Sequence, residues 1–87
     1  MEQVMTREEF NTKWKDRIEN RFYGLEFDIS EITTYLDEEF TTYVNTHDDF
    51  EFAQIKIKFN AVRVYTNASF DQNNEWEMAI DKLLNTV

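Results

Sequence analysis

The chain has no cysteine and no proline, and only one glycine and one histidine in 87 residues. Without cysteine there is no disulfide framework, no thiolate nucleophile and no cysteine ligand for zinc. A single glycine cannot provide a glycine-rich phosphate loop. Ser30 and Ser69 lie at predicted helix starts, so together with His47 they do not suggest a nucleophilic triad. We therefore expect a protein that is not an enzyme.

Long apolar runs are also missing. No window approaches the roughly 20 apolar residues of a membrane-spanning helix, and residues 1–9 lack the apolar segment of a secretion signal. The absence of cysteine fits a reducing compartment. The sequence is 41% hydrophobic and contains 14 aromatic residues, which is enough for a core and unlike a disordered acidic tail. We expect one cytoplasmic globular domain over residues 1–87.

The charge of the chain is strongly segregated. It carries 18 acids and 9 bases, for a net charge of −9. The segment from Leu25 to Gln54 contains no base and nine acids: Glu26, Asp28, Glu31, Asp37, Glu38, Glu39, Asp48, Asp49 and Glu51. Residues 55–66 contain three bases, Lys56, Lys58 and Arg63, and no acid. This balance disfavours nucleic acid and anionic membranes as partners and favours a basic protein surface.

Two helices are predicted in the first half of the chain. Thr6 and Glu9 have capping-box spacing, and an apolar stripe predicts a first helix over 7–23 that ends at Gly24 in a left-handed conformation. Asp28 and Glu31 are predicted to cap a second helix, which ends near Val44 or Asn45. The apolar stripe of this helix is Ile29, Ile32, Leu36, Phe40 and Tyr43.

The apolar period changes to two after residue 54, which predicts an antiparallel hairpin. A turn at Asn60-Ala61 pairs Phe59 with Val62 and places Lys58 opposite Arg63 on the outer face, near Lys56. Phe50 and Phe52 have the opposite parity to Ile55. Either a bulge lies near residues 53–54, or the strand begins after them.

A third helix is predicted from Phe70 or Asn74 to Asn85. Ser69 with Gln72 and Asn74 with Glu77 are competing caps. The stripe of this helix is Trp76, Ile80, Leu83, Leu84 and Val87. The predicted fold class is α+β, in the order ααββα, with the hairpin packed against the helices.

The acids after the second helix are expected in a simple solvated loop, and two chemical sites are alternatives to this interpretation. His47, Asp48, Asp49 and Glu51 are candidate ligands for a divalent cation, but they lack the spacing and central glycine of a calcium loop. Asp48 or Asp49 followed by Gln54-Ile55-Lys56 is similar to the acid and lysine pattern of metal-dependent nucleases, and this pattern is short and common by chance. We expect no metal and no cofactor.

The size, the acidity, the lack of catalytic residues and the placement of Asp37-Glu38-Glu39 and Asp48-Asp49-x-Glu51 together suggest a class of protein. The chain resembles the small acidic inhibitors of bacteriophages and mobile elements, which include DNA mimics, restriction inhibitors and anti-CRISPR proteins. The resemblance implies an inhibitor, in the host cytoplasm, that binds a basic nucleic-acid-binding surface of a defence nuclease. The implied contact residues are Glu31, Tyr35, Asp37, Glu38, Glu39, Asp48, Asp49 and Glu51.

Two other hypotheses remain open at this point. An immunity protein or antitoxin that neutralises a basic toxin would use the same acids, and a small metal-dependent enzyme would use Asp48, Asp49 and Glu51. We expect no direct nucleic-acid binding and no membrane binding, and either a monomer or a homodimer. All hypotheses of partner binding require that the acids face outward and are not paired with cations of the same chain, such as Arg17, Arg21 and the three bases of the hairpin.

Overall fold

Three α-helices and a three-stranded sheet form the structure of residues 5–86, the part of the chain that the computed structural model describes. The elements are α1 (Arg7–Trp14), a 3-10 turn (Lys15–Arg17), β1 (Gly24–Leu25), α2 (Ser30–Val44), β2 (Phe52–Lys58), β3 (Ala61–Thr66) and α3 (Phe70–Thr86). The sheet order is β1-β2-β3, with β1 parallel and β3 antiparallel to β2. The predicted α+β class is confirmed, and β1 is an addition to the predicted order.

The first helix starts as predicted and ends early. The Thr6 hydroxyl accepts from the Glu9 N–H, and the Glu9 carboxylate accepts from the Thr6 N–H, both at 3.1 Å. The predicted extent of 7–23 is wrong, since α1 ends at Trp14. Ile18 instead forms a parallel bridge with Phe52, and the Glu19 N–H donates to the Phe52 carbonyl at 2.9 Å. Sheet pairing therefore overrides the helical periodicity of this segment.

Gly24 has the predicted left-handed backbone, with φ of +80°, but it belongs to β1 and not to a helix end. The side chain of Asn11 holds the next residue, because its Oδ1 accepts from the Leu25 N–H at 2.8 Å and its Nδ2 donates to the Leu25 carbonyl at 3.1 Å. A Cβ atom at position 24 would lie 2.7 Å from Asn11 Oδ1. Glycine is therefore required both for the backbone conformation and for this close approach.

The second helix ends at Val44, as predicted, and its apolar stripe packs into the core. The predicted Asp28 cap is wrong. Ile29 occupies the N-cap position without a side-chain hydrogen bond, and Asp28 Oδ1 accepts from the Arg7 N–H of α1 at 3.5 Å. This carboxylate therefore joins the starts of the two helices.

The hairpin turns one residue earlier than predicted. Its central residues are Phe59 and Asn60, with φ of 54° and 63°, which is the type I′ geometry that matches the twist of paired strands. Phe59 is 87% exposed at this turn and has no partner on β3. The predicted pair with Val62 is therefore wrong.

The corrected register keeps the predicted inner face of the hairpin. The cross-strand pairs are Ile55 with Val64, Lys56 with Arg63, Ile57 with Val62 and Lys58 with Ala61. Because the register differs from the prediction by two residues, no side chain changes face. The outer pair is Lys56 with Arg63, and not the predicted Lys58 with Arg63. Of the two alternatives for this segment, the register shift between Phe52 and Gln54 confirms the bulge, which lets Phe52 and Ile55 both point into the core.

Ser69 is the cap of α3, since its hydroxyl accepts from the Gln72 N–H at 3.2 Å. Trp76 and Ile80 are buried, Leu83 and Leu84 are partly buried against them, and Val87 lies outside the described residues. The core centres on Phe40 of α2. Its ring centroid lies 4.8–5.8 Å from those of five other rings, which belong to Phe10, Trp14, Phe50, Phe52 and Trp76.

The Phe59→Asn variant is expected to be more stable than the wild type by about 1 kcal/mol. The reason is that a left-handed backbone conformation is less favourable for phenylalanine than for asparagine by about this free energy. Little burial is lost, since Phe59 is almost fully exposed. Urea denaturation of both proteins measures the difference. A midpoint that falls would show that the Phe59 ring contributes contacts that outweigh the backbone strain.

Candidate partner-binding surface

The exposed face of α2 carries a row of acids around one tyrosine. Glu31 and Glu38 are exposed, and Tyr35 lies between them in helical spacing, about 6 Å along the axis from Glu31. The core stripe of Ile32, Leu36 and Phe40 fixes the opposite side of the helix. The carboxylates of Glu31 and Glu38 form no ion pair within residues 5–86, so both remain available to another molecule.

Asp37 lies on the flank of α2 and is already engaged within the chain. Its Oδ1 lies 2.7 Å from Lys13 Nζ and accepts from Trp14 Nε1 at 3.0 Å. Its side chain is only 19% exposed. This carboxylate holds α1 against α2, so it is a poorer candidate for contact with a partner than its neighbour Glu38.

Glu39 lies on the other flank and also has a structural contact, because its Oε1 accepts from Trp76 Nε1 of α3 at 3.3 Å. Tyr35 is partly buried beside it. Burial first, and then the negative charges of Glu39 and Glu75, raise the pKa of Tyr35 above its ordinary value. Glu75 of α3 therefore lies near this tyrosine. Glu75 is not among the predicted contact residues, because it lies outside the acidic segment.

The loop after α2 displays three more acids, Asp48, Asp49 and Glu51, all of them exposed. Arg17 Nη1 donates to the backbone carbonyls of Asp48 at 2.8 Å and of Phe50 at 3.1 Å. The Arg17 guanidinium therefore contacts the backbone of the loop and does not pair with its carboxylates. The three loop carboxylates form no ion pair within the described residues.

Asn67, just after β3, holds the other side of the same loop. Its Nδ2 donates to the Asp49 carbonyl at 2.7 Å, and its Oδ1 accepts from the Glu51 N–H at 2.9 Å. The Asn67 N–H also donates to the Glu51 carbonyl at 3.0 Å. The loop backbone is therefore fixed from two sides, while its acidic side chains remain directed to solvent.

His47 does not complete a metal site with these acids. Its ring stacks on Tyr43 with centroids 3.9 Å apart, and its Nδ1 lies 2.8 Å from the Thr46 hydroxyl and 3.2 Å from the Tyr43 carbonyl. Among residues 5–86, no three acidic or histidine side chains are arranged to hold a metal ion. The His47 side chain instead packs against the end of α2.

The bases of the hairpin do not neutralise the acidic segment. Lys56 lies 5.9 Å from the ring centroid of Tyr65 and Lys58 lies 5.7 Å from that of Phe59, and neither lysine nor Arg63 pairs with an acid in the described part of the chain. Arg21 pairs with Glu19 at 3.5 Å, outside the acidic segment. Asp37 is thus the one acid of the segment in an ion pair within residues 5–86.

We define the acidic surface as Glu31, Glu38, Asp48, Asp49 and Glu51, the exposed carboxylates of α2 and of the loop that follows it. The C-terminus of α2 carries the negative end of the helix dipole, and the last turn of the helix has no base to offset it. This dipole adds to the negative potential around Asp48 and Asp49. Arg17 lies beside the loop and Lys13 beside Asp37, but the acids outnumber these bases. A surface of negative net charge attracts a basic molecule.

No family model, curated protein or solved structure matches this chain. Within residues 5–86, no helix has an apolar stretch long enough to cross a membrane.

The Asn67→Ala variant is expected to lose about 1–2 kcal/mol of unfolding free energy, because two hydrogen bonds to the loop are removed. Amide hydrogen exchange at Glu51 should also become faster. Asn20→Ala is the matched control, since Asn20 is exposed and its side chain has no hydrogen bond within the described residues. Equal stability of the two variants would show that Asn67 does not hold the loop.

Proposed function

We propose that this protein is a non-enzymatic inhibitor that binds the basic nucleic-acid-binding surface of a bacterial defence nuclease, of the anti-CRISPR or anti-restriction type, by charge mimicry of DNA. One observation carries the proposal. The acidic surface is exposed, and its carboxylates form no ion pair within the described residues. Exposed carboxylates without ion pairs add little to the stability of the fold and stay accessible to a basic partner.

Nucleic-acid-binding grooves are natural partners for such a surface. Their lysines and arginines are arranged to neutralise a dense row of phosphates. Glu31 and Glu38 lie about 10 Å apart along one helix face, and the loop acids continue the negative charge beyond the end of α2. A row of carboxylates on a folded scaffold occupies the groove and excludes the nucleic acid.

The fixed backbone of the acidic loop favours tight binding. Arg17 and Asn67 hold the loop in one conformation before a partner arrives, so little conformational entropy is lost on association. Tyr35 adds an amphipathic ring in the middle of the acids, which is a residue type enriched at binding hot spots. The charges provide steering and orientation, and the tyrosine provides contact area.

Affinity capture from bacterial lysate at low salt tests the proposal with two matched triple variants. The site variant combines Glu38→Gln, Asp48→Asn and Asp49→Asn. The control variant combines Glu8→Gln, Asp16→Asn and Asp71→Asn, which are exposed acids elsewhere on the chain. Both variants lose three negative charges. Asp37 and Glu39 are left intact, because they contact the indoles of Trp14 and Trp76.

The wild type and the control variant are expected to capture the same nucleic-acid-binding protein, and the site variant at least about tenfold less of it, because close interfacial charge pairs each contribute 1 kcal/mol or more. Circular dichroism verifies that both variants are folded. Equal capture by the two variants would contradict the assignment of the acidic surface. A captured toxin of the producing cell, in place of a nuclease, would contradict the proposed partner and indicate an immunity protein.

A further inference from the structure

We propose that the outer face of the sheet is a homodimer interface, in which a second copy of this chain packs against the first across a twofold axis. The homodimer goes beyond the proposed function and assigns Glu51, which also lines the groove, to the contact between copies. Glu31, Glu38, Asp48 and Asp49 then remain as the acids for a basic partner. The homodimer follows from the shape, the exposed aromatic rings and the charge distribution of one groove on that face.

The groove lies on the side of the sheet that faces away from the core. Gln54 pairs with Tyr65 and Lys56 pairs with Arg63 across β2 and β3, and all four side chains point outward, because their neighbours Ile55 and Val64 are buried. The segment after the 3-10 turn forms a wall of the groove, since Glu19 is bonded to Phe52 at the start of β2. The resulting groove has a volume of about 600 Å³.

Two exposed aromatic rings line this groove. Phe22 is 41% exposed and Tyr65 is 45% exposed, on opposite sides of β2. Aromatic side chains of this kind are enriched at protein interfaces, where they provide large contact areas. The middle of the groove therefore offers the apolar contact that an interface needs.

The two ends of the groove carry opposite charges. Glu51 immediately precedes β2, close to Glu19 and Arg21, whose charges offset each other in an ion pair. Lys56 lies about 15 Å further along the strand. Arg63 lies beside Lys56 on β3. Neither Glu51 nor Lys56 forms an ion pair within the described residues, so each charge is available to another molecule.

A twofold axis through the middle of the groove, near Gln54 and Tyr65, makes this arrangement complementary to itself. With the two copies antiparallel, Glu51 of each copy faces Lys56 of the other, and the aromatic rings meet near the axis. This is an isologous interface, in which both copies use the same surface patch for the contact. The net charge of −9 on each copy opposes association, but this long-range repulsion is screened at physiological salt, where the Debye length is about 8 Å.

The test is a charge exchange between Glu51 and Lys56, followed by sedimentation velocity at about 100 μM protein and about 0.15 M salt. The wild type is expected to sediment as a dimer. Glu51→Lys and Lys56→Glu each place like charges together at both ends of the interface, so each variant is expected to weaken the dimer at least about tenfold. Asp71→Lys and Lys82→Glu, at exposed positions on α3, are the matched controls and are expected to remain dimers.

An equimolar mixture of Glu51→Lys and Lys56→Glu should restore the dimer, because each copy then faces opposite charges on its partner. Restoration would occur only if these two residues meet between copies, so misfolding of either variant cannot imitate it. A wild type that remains a monomer under these conditions would overturn the proposal. A dimer that the single variants leave intact, or that the mixture fails to restore, would overturn it as well.

Discussion

The packing of aromatic rings around Phe40 determines the rest of the structure. Phe40 lies on the inner side of α2 and contacts rings from α1, from the start of β2 and its preceding residues, and from α3. Such tilted and edge-to-face contacts each add about 0.5–1.5 kcal/mol beyond burial. Because a helix has fixed angular spacing, the position of Phe40 also directs Glu31 and Glu38 to the opposite side, while Tyr35 lies at the edge of the core, partly buried against it. The core thus orients the proposed binding surface.

The two tryptophans connect this core to the acids that flank it. Each indole N–H donates to a carboxylate of α2, from Trp14 to Asp37 and from Trp76 to Glu39. These contacts satisfy buried donors and hold α1 and α3 on either side of α2. The acidic segment therefore has two roles. Its flanking acids stabilise the fold, and its outermost acids are exposed and are the proposed contact with a partner.

Local patterns in the sequence predict those elements whose stability is local. The capping box at Thr6 and the alternation around the hairpin lead to the correct elements, because helix caps and strand alternation depend on near neighbours. The early end of α1 and the strand at Gly24 depend on pairing with β2, which is distant in sequence. The predicted turn at Asn60-Ala61 is wrong because phenylalanine is rare in the left-handed conformation that Phe59 adopts, so no local pattern indicates a turn there.

The same difference between local patterns and distant contacts applies to the acids of α2 and of the loop that follows it. Helical periodicity alone places Glu31 and Glu38 outward, as the structure has them. The engagement of Asp37 and Glu39 depends on how α1 and α3 pack against α2, which no local pattern contains. Arg17 contacts loop residues up to 33 positions away in sequence, and Asn67 contacts loop residues up to 18 positions away. Only the tertiary structure shows this support.

Competition with duplex DNA tests the central claim most directly. The captured partner, bound to the immobilised protein, is titrated with duplex DNA that it recognises. If the acidic surface occupies the nucleic-acid-binding groove, DNA displaces the partner in proportion to its own affinity, and the two ligands never bind together. A ternary complex of DNA, partner and this protein would contradict charge mimicry.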